Sequence, residues 1–134
     1  MLGAGEAKAE QIGIPYNIAV VDAGGHLLAF SRQDGALIGG IDLAIQKAFT
    51  ARICDISTGE LAELAQPGKP LYGIHVSNGG KIVIFGGGFP VRRKGVVIGA
   101  IGTSAGTVEQ DIEVADAAIG AIEPFIQSAS VGVA

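Results

Sequence analysis

The sequence of 134 residues predicts an α+β fold, in which a mostly antiparallel five-stranded sheet is flanked by helices and followed by a long C-terminal helix. Apolar segments of strand length succeed one another across tight turns. Strands joined in this way pair antiparallel, because a parallel pair needs a crossover of about a dozen residues. A helical apolar period after Val108 predicts the last helix. No internal repeat or linker divides the chain, so we predict one domain over residues 1–134.

Residues 96–102 predict the strand at the centre of the sheet. The run VVIGAIG is apolar on both faces, which is typical of a strand covered on both sides. Its glycines allow another backbone or a ligand to come close. After it, Thr107 and Gln110 have the spacing of a capping box, which predicts that the C-terminal helix begins at Val108.

The N-terminal third of the chain predicts a helix and a hairpin. Residues 4–12 contain good helix formers and are followed by Gly13, which suits a helix C-terminus. Residues 16–23 and 26–31 predict two strands, with Gly24-Gly25 as a two-residue turn between them. Both faces of this hairpin are largely apolar, so we expect it to be covered on both sides.

The middle of the chain predicts two helices. Residues 41–53 form the first, and Ser57 with Glu60 marks the start of the second through a capping box. Spacing on the first helix predicts a buried stripe formed by Ile41, Ile45, Ala48 and Phe49.

Two further strands are predicted before the central one. Residues 71–80 fit a helical turn or a strand, whereas residues 81–85 (KIVIF) predict a strand and residues 91–94 a short one. Pro124 predicts an end or a kink of the last helix near Glu123. We expect residues 127–134 to form a loose tail.

The composition predicts a protein that associates with copies of itself. Apolar residues make up 49% of the chain. No apolar run reaches the roughly 20 residues that span a bilayer, so we expect the surplus apolar surface to be buried in a homo-oligomer. The net charge of −4, without a basic stripe, argues against a nucleic-acid partner. The N-terminal segment lacks the pattern of a secretory signal, and we expect a cytoplasmic location without a membrane partner.

The metal and nucleophile motifs are sparse. Cys54 is the only cysteine, which excludes an intrachain disulfide and a cysteine-cluster metal site. The segment GTSAG around Ser104 matches G-x-S-x-G, but both histidines precede Ser104, so it does not follow the order of a hydrolase triad. We interpret it as a glycine-bounded turn into a helix, whose backbone N–H groups would bind an anionic group.

Several side chains are candidates for ligand contacts. His26 and His75 lack the spacing of a zinc site, but a single histidine can be an axial ligand of haem iron. The basic turn with Arg92 and Arg93 is either solvated or a clamp for ligand carboxylates. Lys47 lies near the apolar stripe of its helix. It either extends to solvent or pairs with a carboxylate such as Asp22, within one chain or between chains.

Three segments together resemble the GlcG/HbpS-like family, which includes the C-terminal domain of PduO-type corrinoid adenosyltransferases. They are VVDAGGHLLAFSRQDGA at residues 20–36, AIQKAFTA at residues 44–51 and GGGFPVRRKGVVIGAIGTSAGTVEQDIEVA at residues 86–115. The resemblance covers nearly the whole chain. It implies a profilin-like domain that is commonly assembled into homo-oligomers, and it implies haem binding for some members.

The resemblance also implies positions for a haem site. His26 on the hairpin would bind the iron, and Thr103 and Ser104 match at the strand-to-helix junction. A flat apolar ligand needs an apolar wall and donors for its carboxylates. The wall would come from Leu28, Phe30 and Ile101, and the donors would be Arg32, Arg92 or Arg93.

These patterns leave three hypotheses for function. The first is a small cytoplasmic, homo-oligomeric domain that binds haem or a related tetrapyrrole. The second is an enzyme or accessory subunit of small-molecule catabolism, with an interface site in which Lys47 or Asp22 acts as acid or base. The third is a structural or accessory protein without a ligand. We favour a binding role over an enzymatic one.

Overall fold

The computed structural model of the chain describes residues 1–128. Within them, four helices and four strands follow in the order α1 (Leu2–Ile12), β1 (Asn17–Asp22), β2 (Leu27–Arg32), α2 (Gly39–Cys54), α3 (Thr58–Leu64), β3 (Gly88–Arg93), β4 (Val96–Ser104) and α4 (Val108–Ser128). Residues 71–80, which fitted a turn or a strand, contain two 3-10 turns. None of the helices in this described part is both long and apolar enough to cross a bilayer.

The sheet has the strand order β2-β1-β4-β3 and is antiparallel throughout. The predicted central position of β4 is confirmed, since it pairs with β1 on one side and β3 on the other. Helix α2 packs on one face of the sheet, and α1 and α4 pack on the other. The α+β class and the long C-terminal helix are therefore as the sequence predicted.

The predicted strand at residues 81–85 is wrong, so the sheet of the described residues has four strands rather than five. The backbone of this segment bonds to a side chain of α2 instead. Thr50 Oγ1 donates to the Lys81 carbonyl oxygen at 3.3 Å and accepts from the Val83 N–H at 3.0 Å. Ile82 and Val83 are buried. The apolar run therefore reflects burial against α2 and not pairing with a strand.

The buried face of α2 differs from the predicted stripe. The residues that pack on the sheet are alanines, namely Ala44, Ala48 and Ala51. The bulky members of the predicted stripe are only half-buried: Ile41, Ile45 and Phe49. Small residues are needed here because the backbones of α2 and β4 approach so closely. A Cβ atom built on Gly102 of β4 would lie 2.0 Å from the Ala44 carbonyl oxygen.

The loop between β1 and β2 has four residues, 23–26, rather than the predicted two. The Asp22 N–H donates to the His26 carbonyl oxygen at 2.8 Å and closes the loop. The Asp22 carboxylate accepts from the N–H groups of Gly24 and His26 at 2.9 and 3.0 Å. These bonds, the one from His26 above all, lower the pKa of Asp22. The carboxylate thus holds His26 on a fixed turn.

Strand β2 is an edge of the sheet and is less covered than the sequence predicted. Leu27 and Leu28 are 49% and 66% exposed. Within the described residues β2 is therefore only partly covered, whereas β1 is largely buried, so the predicted cover on both sides holds for β1 alone.

The helix ends follow local signals, with one exception. Gly13 has a left-handed φ of 82° and terminates α1 as predicted. Both predicted capping boxes are present, at Ser57 and at Thr107. Of the predicted end or kink near Glu123, the end is wrong, because α4 continues through Pro124. Pro124 and Gly120, whose carbonyl loses its helical partner, are exposed, so solvent can satisfy that carbonyl.

The predicted loose tail at residues 127–134 falls only partly within the described residues. Its first two residues belong to α4. The remainder, residues 129–134, lies outside them.

Candidate functional site

The side chain of Lys47 is fully buried and forms an ion pair with Asp111 in the first turn of α4. Its Nζ lies 2.6 Å from Asp111 Oδ2 and donates to the Thr103 carbonyl oxygen at 2.9 Å. The ring of Phe85 lies 4.9 Å from the same nitrogen. Burial lowers the pKa of Lys47, and the Asp111 carboxylate partly opposes this change. The predicted partner, Asp22, is therefore wrong within the chain.

The glycine bend at residues 86–88 makes room for this lysine. Gly87 has a φ of 121°, and a Cβ atom there would lie 2.8 Å from Lys47 Nζ and 2.8 Å from the Thr103 carbonyl oxygen. A Cβ atom on Gly88 would lie 2.5 Å from the Lys47 carbonyl oxygen. The bend is thus a place of close packing, where only glycine leaves room for the side chain and the backbone of Lys47.

The helix start that the sequence offered as an anion site is occupied by a carboxylate of the chain itself. Asp111 Oδ1 accepts from the N–H groups of Ala105 and Gly106, both at 3.2 Å. Thr103 Oγ1 donates to the Asp111 carbonyl oxygen at 2.6 Å. Thr103 and Ser104 are 0% and 5% exposed. This junction is thus packed and internally hydrogen-bonded within one protomer.

Tyr16 is a member of this cluster that sequence reasoning missed. It is completely buried, and its hydroxyl group lies beside Gly106 and the Asp111 carboxylate. Burial raises the pKa of Tyr16, and the neighbouring Asp111 carboxylate adds to the rise. Nothing in the local sequence marks Tyr16, because Asp111 comes near it only through folding. The cluster around Lys47 joins α2 to α4 and presents no reactive group to solvent.

His26 lies at the opposite end of the sheet from Thr103 and Ser104. In the pairing of β1 with β4, Asp22 is opposite Gly99 and Asn17 is opposite Ser104. Asn17 and Asp22 are five positions apart along β1, which corresponds to roughly 16 Å. The residues that the resemblance implied therefore form two separate groups within one chain.

A groove of about 410 Å³ lies beside His26, between the β1–β2 loop and α2. Its apolar wall consists of Leu27, Ile45 and Phe49, and its polar groups are His26, Asp42, Gln46 and Lys81. A concave, mostly apolar space with a few polar groups is typical of small-molecule sites. Of the predicted wall, Phe30 is half-buried and packs in the α2-side core, Leu28 is exposed, and Ile101 is buried in the core on the other face.

The three predicted arginines do not line this groove. Arg32 ends β2 opposite Asn17, at the far end of the hairpin. Arg92 donates to the Asp55 carbonyl oxygen at the C-terminus of α2. Arg93 and Arg92 line another cleft of about 520 Å³, next to Glu123 of α4. Lys81 is the cation of the His26 groove, and its placement was hidden by the wrong strand prediction.

The described residues hold no group of three or more His, Cys, Asp or Glu side chains arranged to bind a metal ion. His26 is therefore a single imidazole at the edge of an apolar groove. Chemically, that arrangement suits an axial ligand to a metal that is already held by a macrocycle.

Comparison with known proteins gives consistent matches over most of the chain. The profile of a family described as haem degrading protein HbpS-like matches residues 1–120. A Citrobacter freundii protein, described as an uncharacterized 15.0 kDa protein in the dhaT-dhaS intergenic region, is 46% identical over 119 residues, or 89% of this chain and 84% of that protein.

Corrinoid adenosyltransferase PduO of Citrobacter freundii is 42% identical over 115 residues. The match covers 86% of this chain but 34% of the adenosyltransferase, so the chain spans about a third of that protein. A crystal structure described as a PduOC:heme complex superimposes with a TM-score of 0.89 and 40% identity, covering 91% of this chain and 88% of that one.

Proposed function

The chain belongs to the HbpS-like family, and from this premise we propose that it is a small ligand-binding domain that takes haem, or a related tetrapyrrole, in the groove beside His26. The observation that carries the proposal is the lone imidazole of His26 at the edge of a groove of about 410 Å³ with an apolar wall. The similar structure described as a haem complex supports the same class of ligand.

The residues of the groove fit a haem group. The His26 imidazole packs over Gly24, where a Cβ atom would lie 2.8 Å from the ring carbon Cδ2. The backbone of His26 is held by the Asp22 carboxylate, so the ring projects from a fixed turn. The His26 imidazole would hold the iron of a bound haem through a ring nitrogen. Leu27, Ile45 and Phe49 would cover part of one porphyrin face.

We also propose that the chain associates with copies of itself, as its apolar surface suggests. Among the exposed large apolar residues are Leu28, Ile38 and Val76, at 66%, 73% and 74% exposure. A second copy would also bring Arg32, Arg92 or Arg93 toward a ligand that they do not reach within one chain. Thr103 and Ser104 are buried in their own protomer and would not take part.

Sedimentation velocity tests the association. At micromolar concentration we expect a boundary whose mass is a multiple of the 13.5 kDa chain. A single 13.5 kDa species at that concentration would contradict self-association.

Titration with hemin tests the proposed ligand. The wild-type chain should give a saturable Soret band, and His26→Ala should shift this band and weaken binding by about tenfold or more, because the axial ligand is lost. His75→Ala is the matched control, since His75 is the other histidine and does not line the groove. Binding no tighter than that of an unrelated acidic protein, or an unchanged band in His26→Ala, would contradict the proposal.

The two other hypotheses have less support. The enzymatic one uses Lys47 or Asp22 as acid or base. Lys47 is buried and bonded to Asp111, and Asp22 accepts hydrogen bonds from the loop backbone at Gly24 and His26. The hypothesis of a protein without a ligand predicts no concave site, whereas the described residues form the His26 groove.

A further inference from the structure

We propose that Lys81 is the cation that anchors a carboxylate of the ligand in the His26 groove. This inference rests on the proposed function, because it concerns the same groove. It assigns the polar end of the site to a residue that neither the sequence motifs nor the predicted arginines indicated.

The backbone of Lys81 is fixed before any ligand arrives. Thr50 Oγ1 of α2 donates to the Lys81 carbonyl oxygen and accepts from the N–H of Val83. Ile82 and Val83, each 4% exposed, hold the following backbone in the core. The preceding Gly80 has a φ of 76°, which turns the chain toward α2. A lysine on a fixed backbone loses less conformational freedom on binding than one on a loose loop.

The ammonium group of Lys81 is placed at the groove and is available. Its Nζ lies 5.8 Å from the centre of the Phe49 ring, which is part of the apolar wall. Among residues 1–128, no carboxylate forms an ion pair with Lys81; the pairs there are Lys47–Asp111 and Arg52–Asp55. The charge of Lys47 is neutralised inside the protein, whereas that of Lys81 can serve a ligand.

A negative charge on the same groove would help to orient a bound ligand. Asp42, in the first turn of α2, lines the groove and accepts a hydrogen bond from Gln46. A ligand carboxylate is repelled by Asp42 and attracted by Lys81. The two charges therefore favour a bound ligand whose acidic substituent faces Lys81 and not Asp42.

The test compares hemin with hemin dimethyl ester, which lacks free carboxylates, in Soret titrations. For Lys81→Gln we expect hemin binding weakened by roughly fivefold to tenfold, since a charge-assisted hydrogen bond is lost, and ester binding unchanged. Lys81→Arg should restore hemin binding, and Asp42→Asn should strengthen it. Lys69→Gln, at an exposed lysine away from the groove, is the matched control.

The outcomes separate this inference from the proposed function. Unchanged hemin binding in Lys81→Gln, or equal weakening of hemin and ester, overturns the role of Lys81, even when the Soret band still depends on His26. Absence of a His26-dependent band in the wild-type chain overturns the proposed function, and the role of Lys81 with it.

Discussion

Gly102→Ala is expected to destabilise the chain by about 3 kcal/mol, the upper end of the usual cost of overpacking. The new Cβ atom would lie 2.0 Å from the Ala44 carbonyl oxygen and 2.6 Å from the Ala48 backbone nitrogen. Both are backbone atoms of α2, so no change of side-chain rotamer relieves the clash. The helix must move away from the sheet, and its alanine face then loses contact with the core.

Urea denaturation followed by circular dichroism measures this change, with Gly120→Ala as the matched control. Gly120 lies in α4, is exposed, and a Cβ atom there meets nothing within 4 Å. The control should therefore be stabilised by up to about 1 kcal/mol, from helix propensity alone. A Gly102→Ala variant within about 0.5 kcal/mol of the wild type, the usual range of surface substitutions, would contradict the close approach of α2 to β4.

Lys47→Met is expected to destabilise the chain by about 3–5 kcal/mol, because it leaves the buried Asp111 carboxylate without its ammonium partner. In the variant, the N–H groups of Ala105 and Gly106 would still donate to Asp111 Oδ1. The other oxygen, Oδ2, lies 2.6 Å from Lys47 Nζ in the wild type and would face the apolar methionine side chain in the variant. The same substitution also removes the bond to the Thr103 carbonyl oxygen.

A double-mutant cycle shows whether the loss belongs to the pair. Asp111→Asn alone should also destabilise, since it leaves a buried ammonium unpaired. The double variant should cost less than the sum of the two single changes by at least about 1 kcal/mol, as expected for directly coupled residues. Lys69→Met, at an exposed lysine, should stay within about 0.5 kcal/mol of the wild type. Additive single and double variants would show that Lys47 and Asp111 do not interact.

The sequence predicted best those features whose cause lies within a few residues. The capping boxes at Ser57 and Thr107 are present because their hydrogen bonds span three positions. The central strand was predictable because its apolar run shows cover on both faces. The left-handed Gly13 likewise ends α1 by its own conformational freedom.

Features set by distant partners were not predictable in this way. The run at residues 81–85 has the apolar pattern of a strand, but its hydrogen bonds go to Thr50, 31 and 33 positions away. The sequence contains 13 acidic residues that could pair with Lys47, and the one that does so lies 64 positions away. Periodicity indicates that such a residue is buried, but only the packing of α2 against α4 selects Asp111.

The candidate site likewise contains one residue that the sequence indicated and others that depend on distant partners. The resemblance pointed to His26, and the structure places it at a groove. Arginines were the predicted donors to the ligand carboxylates, because a guanidinium group binds a carboxylate well. However, Arg32 lies at the far end of β2 and Arg92 is bonded to Asp55. Lys81 lies at the groove on a backbone that is bonded to Thr50, a contact between residues 31 positions apart.

Amide chemical-shift mapping with diamagnetic gallium protoporphyrin tests most directly whether the His26 groove is the ligand site. Saturable shifts should concentrate in the β1–β2 loop and the first residue of β2 (residues 23–27), on the exposed side of α2 at residues 42–49, and at Lys81. Shifts centred on the cleft at Arg92 and Lys94, with the His26 groove unaffected, would contradict it.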